Sequence, residues 1–237
     1  MGIDPALRSM GASFTCSMKK LSTILLTSLA CLSTLNAEEA AKPAAPAAAK
    51  EWVLFDGKSL NDWETVDIGG SGQVELEGGV LIINQGDSLS GVLYKKAAEL
   101  PVTNYEISLE AKRLQGVDFF CGLTFPVGSL KTCATLVCGG WGGSVTGLSN
   151  IDGMDASNNS TGTYQRYTDD TWYKIRLLVT PENISVWLDD KQIIDQDIKE
   201  RKISLRPGPI ESYAPLALST FNTTAAIKNV KVKAVKP

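Results

Sequence analysis

The chain has 237 residues, 43% of them hydrophobic and 21% charged, enough to bury a sizeable core in one large domain or two small ones. Its formal net charge is −3 with both signs interspersed, which leaves no electrostatic footprint for nucleic acid. Histidine is absent, which excludes Ser-His-Asp and Cys-His nucleophile systems and every histidine-ligated metal site.

The N-terminal part reads as an export signal. "MKKLSTILLTSLACLSTLNAEEA" starts at Met18 with Lys19 and Lys20, runs apolar from Leu21 to Leu35, and ends in small residues before Glu38. The apolar run is short for a bilayer span, so cleavage after Ala37 and a mature chain without a transmembrane segment are expected. "SLAC", ending at Cys31, also resembles a lipoprotein signal in which Cys31 carries a lipid anchor, with Ser28 where leucine is usual. Either way an exported protein is expected, in the periplasm or cell envelope or secreted. Residues 1–37 then carry no fold information, and the Ala/Pro-rich stretch 38–50 is a solvated spacer. A single folded domain is expected over 51–237.

The rest of the chain reads as strands. "QVELEGGVLIIN" (73–84) is two short apolar runs broken by Gly78-Gly79, a hairpin signal. In "NYEISLEAKR" (104–113), Tyr105, Ile107, Leu109 and Ala111 alternate with Glu106, Ser108, Glu110 and Lys112. "VDFFCGLTFP" (117–126) and "ATLVCGG" (134–140) read as more deeply buried strands. "TWYKIRLLVTPENISVWLDDKQIIDQDI" (171–198) is a meander, and "APLALSTF" (214–221) and "AAIKNVKVKAV" (225–235) close the chain. Short strands with frequent turn signals and no long helical period indicate an all-β protein, a two-sheet antiparallel sandwich. Cys121, Cys133 and Cys138 allow either one disulfide and a free thiol or three small buried hydrophobes.

"CGGWGGSVTGLSNIDGMD" (138–155) is the most unusual stretch. Residues 142–149 approach the P-loop pattern, but Leu148 stands at the lysine position and loop composition follows where a helix is needed. Glycines around Trp141 leave its ring little local cover. The ring either stacks on a sugar, with Asn150, Asp152 and Asp155 binding hydroxyls, or folds back to plug the sandwich.

"WVLFDGKSLNDWE" (52–64) resembles the opening signature of the 3-keto-disaccharide hydrolase family, F-[DN]-G-K-x-L-x-x-W after an apolar strand. "EGGVLII", "GVLYKK", "NYEISLEAKR", "WYKIRLLVTPENISVWLDDKQI" and "AAIKNVKVKAV" are similar to its later blocks in order, from Trp52 to Val235. The resemblance implies a jelly-roll sandwich of the concanavalin A-like lectin/glucanase type, with a ligand groove on a concave face. It also implies carbohydrate work, in some members cleavage of glycosides whose sugar carries a 3-keto group. Such a ketone acidifies the C2 hydrogen, so the glycosidic bond breaks by elimination and hydration, with a base near C2 and a donor polarising the ketone. Two blocks depart from the pattern: "CATLVCGG" stands where many members hold carboxylates, and "YAPLALSTFNTT" replaces the usual G-P-I-x-L-Q.

The expected activity is therefore hydrolysis of glycosides, plausible for 3-keto-disaccharides, and the alternative is a non-catalytic carbohydrate-binding or envelope module. The catalytic candidates are Glu110, on a family glutamate, with Asp118 and Asp152; Trp141, Asp155, Lys112, Arg176 and Asn150 are the substrate-binding candidates. Glu106 and Glu110 share a strand face but sit about 13 Å apart, too far for a glycosidase pair. No metal or cofactor is expected; calcium stays open, since loop aspartates and asparagines are present but match no known spacing.

Overall fold

The computed structural model describes residues 49–236. The export signal, the Cys31 anchor and nearly all of the spacer lie outside the described residues. Fifteen strands follow in chain order: β1 (Glu51–Phe55), β2 (Trp63–Thr65), β3 (Val74–Glu77), β4 (Val80–Ile83), β5 (Leu89–Tyr94), β6 (Tyr105–Gly116), β7 (Cys121–Ser129) and β8 (Thr132–Gly139). The series continues with β9 (Val145–Ser149), β10 (Thr163–Tyr164), β11 (Tyr173–Val179), β12 (Asn183–Leu188), β13 (Lys191–Asp197), β14 (Ala217–Phe221) and β15 (Thr223–Ala234).

They form two antiparallel sheets. One has eight strands in the order β13-β12-β11-β6-β15-β4-β3, with β1 also paired to β15; the other has seven, in the order β10-β9-β8-β7-β14-β5-β2. This is the expected all-β sandwich. Its core is built by alternation: Tyr105, Ile107, Leu109 and Ala111 of β6 point inward with the apolar residues of β11 and β15, and meet Leu123, Phe125 and Leu136 of the other sheet. Tyr105 Oη crosses between the sheets and donates to the Pro126 carbonyl at 2.5 Å. The 73–84 hairpin turns at Gly78 and Gly79, with φ of 56° and 82°, the left-handed geometry its two-residue loop requires. Cys121, Cys133 and Cys138 are free and buried, matching the second of the two readings above.

Two differences from the sequence reading bear on the site. The strand expected from Val117 begins only at Cys121, because Asp118 Oδ1 accepts from the Phe119 N–H and bends the chain into the sheet. Part of the glycine-rich loop is itself a strand: β9 pairs with β8 in the register Leu136↔Leu148 and Thr135↔Ser149.

Candidate functional site

In the seven-stranded sheet the side chains of Cys121, Leu123 and Phe125 face the core, so Gly122 and Thr124 face away from it. Yet Thr124, Ala217 and Ser219 on that outer face are fully buried, and Thr135 and Ser149 nearly so. A strap formed by residues 199–216 covers them. Its first part is tied to the end of β9: Asn150 N–H donates to the Ser204 carbonyl at 2.7 Å, Asp152 Oδ1 accepts from Lys202 N–H at 2.8 Å, and Arg201 pairs with Asp152 at 2.6 Å. Its last part, Pro209–Tyr213, is a single helical turn that lowers Tyr213 onto the sheet. There Tyr213, Leu89 and Ala217 form a second small core with Phe119, Ile210 and Phe221 around it. A Cβ at Gly91 would stand 2.9 Å from Tyr213 Cε1, so only glycine lets the tyrosine lie this close to β5.

Beside this plug the outer face opens into a cavity of about 380 Å³. Its floor carries the Thr135 and Ser149 hydroxyls and Val137; Arg206, Pro207 and Ile210 of the strap form one wall. Asp118, Phe119 and Trp141 form another, with Phe221 and Leu89 completing the apolar surface. The volume lies near the low end of the roughly 300–1,000 Å³ usual for small-molecule sites. Asp118 and Arg206 are the two charged side chains on the lining, and Arg206 enters none of the ion pairs among the described residues.

Trp141 reaches the cavity on a left-handed turn. Gly139, Trp141, Gly142 and Gly143 have φ of 81°, 50°, 84° and 98°, which explains the glycines and marks a strained position for the tryptophan. Asp118 Oδ2 holds the turn by accepting from the Gly142 N–H at 3.2 Å. Trp141 is 39% exposed, and its ring has no aromatic or cationic partner among the described residues. The other four tryptophans all have one. Lys50 lies over Trp52, Lys228 and Lys112 over Trp172, and Arg176 over Trp187, while Trp63 packs on Tyr94. A bare aromatic face beside hydroxyls and charges is what a pyranose ring needs.

The structure brings Asp118 and Trp141 together and places the other candidates elsewhere. Glu110 sits on the outer face of the eight-stranded sheet, where Asn229 donates to it at 2.8 Å and Lys228 lies at 3.4 Å. The Asn229 hydrogen bond holds its carboxyl below the usual glutamate range; burial opposes it, and the Lys228 and Lys174 charges add to the lowering. Lys112 and Arg176 occupy the same face, paired with Asp170 and Glu106. The alternation of β6 put the family-matched glutamate on the sheet away from the cavity. Asn150 is buried and accepts from the Ser149 hydroxyl at 2.7 Å. Asp152, whose carboxyl is lowered by the Lys202 N–H and then by Arg201, anchors the strap. Asp155 closes its own turn by accepting from Ser157 and Asn158.

Arg206, Phe119, Thr135 and Ser149 escaped the sequence reading. A cation directly before the two prolines of "LRPGPI" was the one local signal for the strap; nothing local places a β8 or β9 hydroxyl in a cavity. Among the described residues no group of three or more His, Cys, Asp or Glu is placed to hold a metal ion, and no helix is long and apolar enough to cross a membrane.

Two antiparallel sheets with a cavity on the outer face of one make a sandwich of the lectin/glucanase type. Residues 51–233 match the model of the 3-keto-alpha-glucoside-1,2-lyase-like domain, and the chain belongs to that family. Among solved structures, the Crh5 transglycosylase in complex with NAG is similar over 80% of this chain and 86% of its own, with 13% identity and a TM-score of 0.57. The Bacillus licheniformis β-glucanase is similar over 81% of this chain and all of its own (100%), with 10% identity and a TM-score of 0.50. At such identities the likeness is one of fold. No curated protein matches the chain.

Proposed function

We propose that the cavity binds a sugar ring against Trp141 and that the protein cleaves 3-keto-glycosides there by elimination. The observation that carries this reading is the cavity's charge: one carboxylate, Asp118, and one guanidinium free of ion pairs, Arg206, beside an uncovered tryptophan. Double-displacement or inverting glycosidases need two carboxylates about 5 to 9.5 Å apart. Elimination needs only one base and one group that polarises the ketone. Asp118 takes the C2 proton, and that C–H electron pair becomes the C1–C2 double bond. The C1–O bond breaks with its electrons going to the leaving oxygen, which takes up a proton from water, and Asp118 returns its proton to C2 when hydroxide adds at C1. Arg206 stabilises the negative charge that grows on the C3 oxygen, and water then adds to the unsaturated sugar. The signal beginning at Met18 supports an exported protein acting in the periplasm or cell envelope.

A sugar-binding role without turnover has one specific observation in its favour. Both Asp118 oxygens already accept backbone N–H bonds, from Phe119 at 2.8 Å and Gly142 at 3.2 Å, so the carboxylate also serves the turn. A panel of 3-keto-disaccharides and their unoxidised parents, followed by mass spectrometry, separates the two. Cleavage of the keto forms alone, reduced by about 10²-fold or more in Asp118→Asn with binding kept, is the expected result. Saturable binding with no cleavage of any member defeats the catalytic reading, and absence of both binding and cleavage defeats the assignment of the cavity.

A further inference from the structure

Phe119 and Phe221 give the cavity a flat apolar wall next to Asp118. Phe119 follows Asp118 directly in the chain, and its N–H donates to Asp118 Oδ1 at 2.8 Å. Its ring lies on the outer face of β7 over Gly122, where a Cβ would stand 2.9 Å from Phe119 Cε2. Phe221, at the end of β14, stacks on it with ring centroids 6.1 Å apart and planes 25° from parallel, and its N–H donates to the Phe119 carbonyl at 3.1 Å. Both rings are half-buried and keep surface open to the cavity. Besides Asp118, the described residues of the lining carry the Arg206 guanidinium and the hydroxyls of Ser88, Thr135 and Ser149. None of these is acidic enough to protonate a leaving oxygen.

Elimination fixes where the aglycone goes. With C2 at Asp118 and the sugar on Trp141, the aglycone hangs from C1, one bond from C2. It therefore lies along the wall that adjoins Asp118, while the C3 oxygen turns to Arg206. An alcohol or sugar departs as a poorly stabilised alkoxide unless an acid protonates it. A phenol, which ionises at about pH 10, departs as phenolate without one. We propose that the preferred substrates are aryl 3-keto-glycosides, whose aromatic aglycone stacks on Phe119 and Phe221 and leaves as a phenolate. Asp118 takes the C2 proton and the C–H pair becomes the C1–C2 double bond. The C1–O pair stays on the phenolate oxygen, which takes its proton from water only after departure. This rests on the elimination reading of the cavity and names the substrate class that reading left open.

The test follows cleavage of the phenyl glycoside and the methyl glycoside of one 3-keto-monosaccharide, and of a disaccharide of the same keto sugar, on the full protein and on Phe221→Leu. Each kcat/KM is divided by the rate of that substrate's uncatalysed elimination in alkaline buffer, which removes the intrinsic advantage of a phenolate. A general acid at the site would compress that advantage, and an aromatic seat adds to it. The corrected value for the phenyl glycoside is expected to exceed the other two by about tenfold or more, and Phe221→Leu to cut the excess roughly threefold or more. An excess that is absent, that falls to the disaccharide, or that Phe221→Leu leaves whole overturns the aryl seat and leaves the elimination reading intact. Where none of the substrates is cleaved the elimination reading falls, and calorimetry decides the seat. A phenyl glycoside bound about tenfold tighter than the methyl glycoside keeps aryl glycosides as the ligands; equal affinity, or no binding, overturns them.

Discussion

Tyr105 and Tyr213 are both buried to about the last ångström of their surface, at 1% and 0% exposure, but their hydroxyls differ in one respect. Tyr105 Oη donates to the Pro126 carbonyl at 2.5 Å, whereas Tyr213 Oη has no hydrogen-bond partner among the described residues. Burial pushes the Tyr213 phenol up to about 12; the nearby Ser71 hydroxyl draws it slightly back, but that hydroxyl already donates to the Leu89 carbonyl at 2.8 Å. Deleting one oxygen from each ring should therefore act in opposite directions. Tyr105→Phe strands a buried carbonyl and loses the bond, a cost of about 1–3 kcal/mol; Tyr213→Phe removes a donor that gains nothing from the protein, so stability is unchanged or rises by about 1 kcal/mol. With a urea m-value of about 2 kcal/mol/M, the first substitution lowers the unfolding midpoint by roughly 0.5–1.5 M and the second leaves it or raises it. Urea titrations of the two variants and the parent, with m held constant, give the answer. A Tyr213→Phe midpoint as low as that of Tyr105→Phe would show that the strap tyrosine is hydrogen-bonded after all, and would refute the reasoning.

Alkaline pH should unfold the protein early. Burial raises Tyr105, Tyr167 and Cys133, the last to about 11, and Cys121 is raised by its contact with Cys138 and then by burial. Each of these groups binds its proton more tightly when folded, so its contribution is whole below the unfolded value and is lost as pH rises through the folded one. Stability should fall by up to ~1.4 kcal/mol per pH unit for each such group from about pH 9 upward, read as a falling urea midpoint; a flat midpoint to pH 11 contradicts it. Gly91→Ala drives a Cβ to 2.2 Å from the Leu218 carbonyl oxygen and 2.8 Å from Ser219 Cα, so a loss of about 1–3 kcal/mol is expected in the same titration. Glu110→Gln should leave sugar binding and turnover within about twofold of the parent, since Glu110 faces away from the cavity; a loss of turnover with the fold intact would bring it back as the base.

How much of this was legible in the sequence depended on whether a strand has one buried face or two. β6 alternates because one face meets the core and the other carries Glu106, Glu110 and Lys112, so its register could be read directly. β9 could not, since all five of its residues are buried and one is a glycine on the outer face, where Ala156 and Thr161 press close. Alternation also says which residues share a face without saying which sheet carries the cavity. The sequence favours Glu110, on a family glutamate, over Asp118; the crossing from β6 to β7 carries the chain from one sheet to the other, and it is the second whose outer face is roofed by a strap. The strap itself is a tertiary object. Its anchors at Asn150 and Asp152 looked like ligand-binding groups in the sequence because hydroxyl-binding and backbone-binding use the same amides and carboxylates.

The tryptophans carry the same lesson further. Five are present, and two cations, Lys112 and Arg176, are among the substrate-binding candidates of the sequence. In the fold these cations lie on ring faces: Arg176 is 3.6 Å from the Trp187 centroid and Lys112 is 5.1 Å from that of Trp172. A ring already holding a cation offers a sugar only the net of exchanging one partner for another, since the cation–π contact of roughly 0.5–1 kcal/mol is lost first. Trp141 gives up nothing when a ligand arrives. Its backbone has already met the cost of a left-handed conformation, and Asp118 keeps the turn in place. That pre-organisation, more than aromatic character, is what separates the cavity tryptophan from the four others.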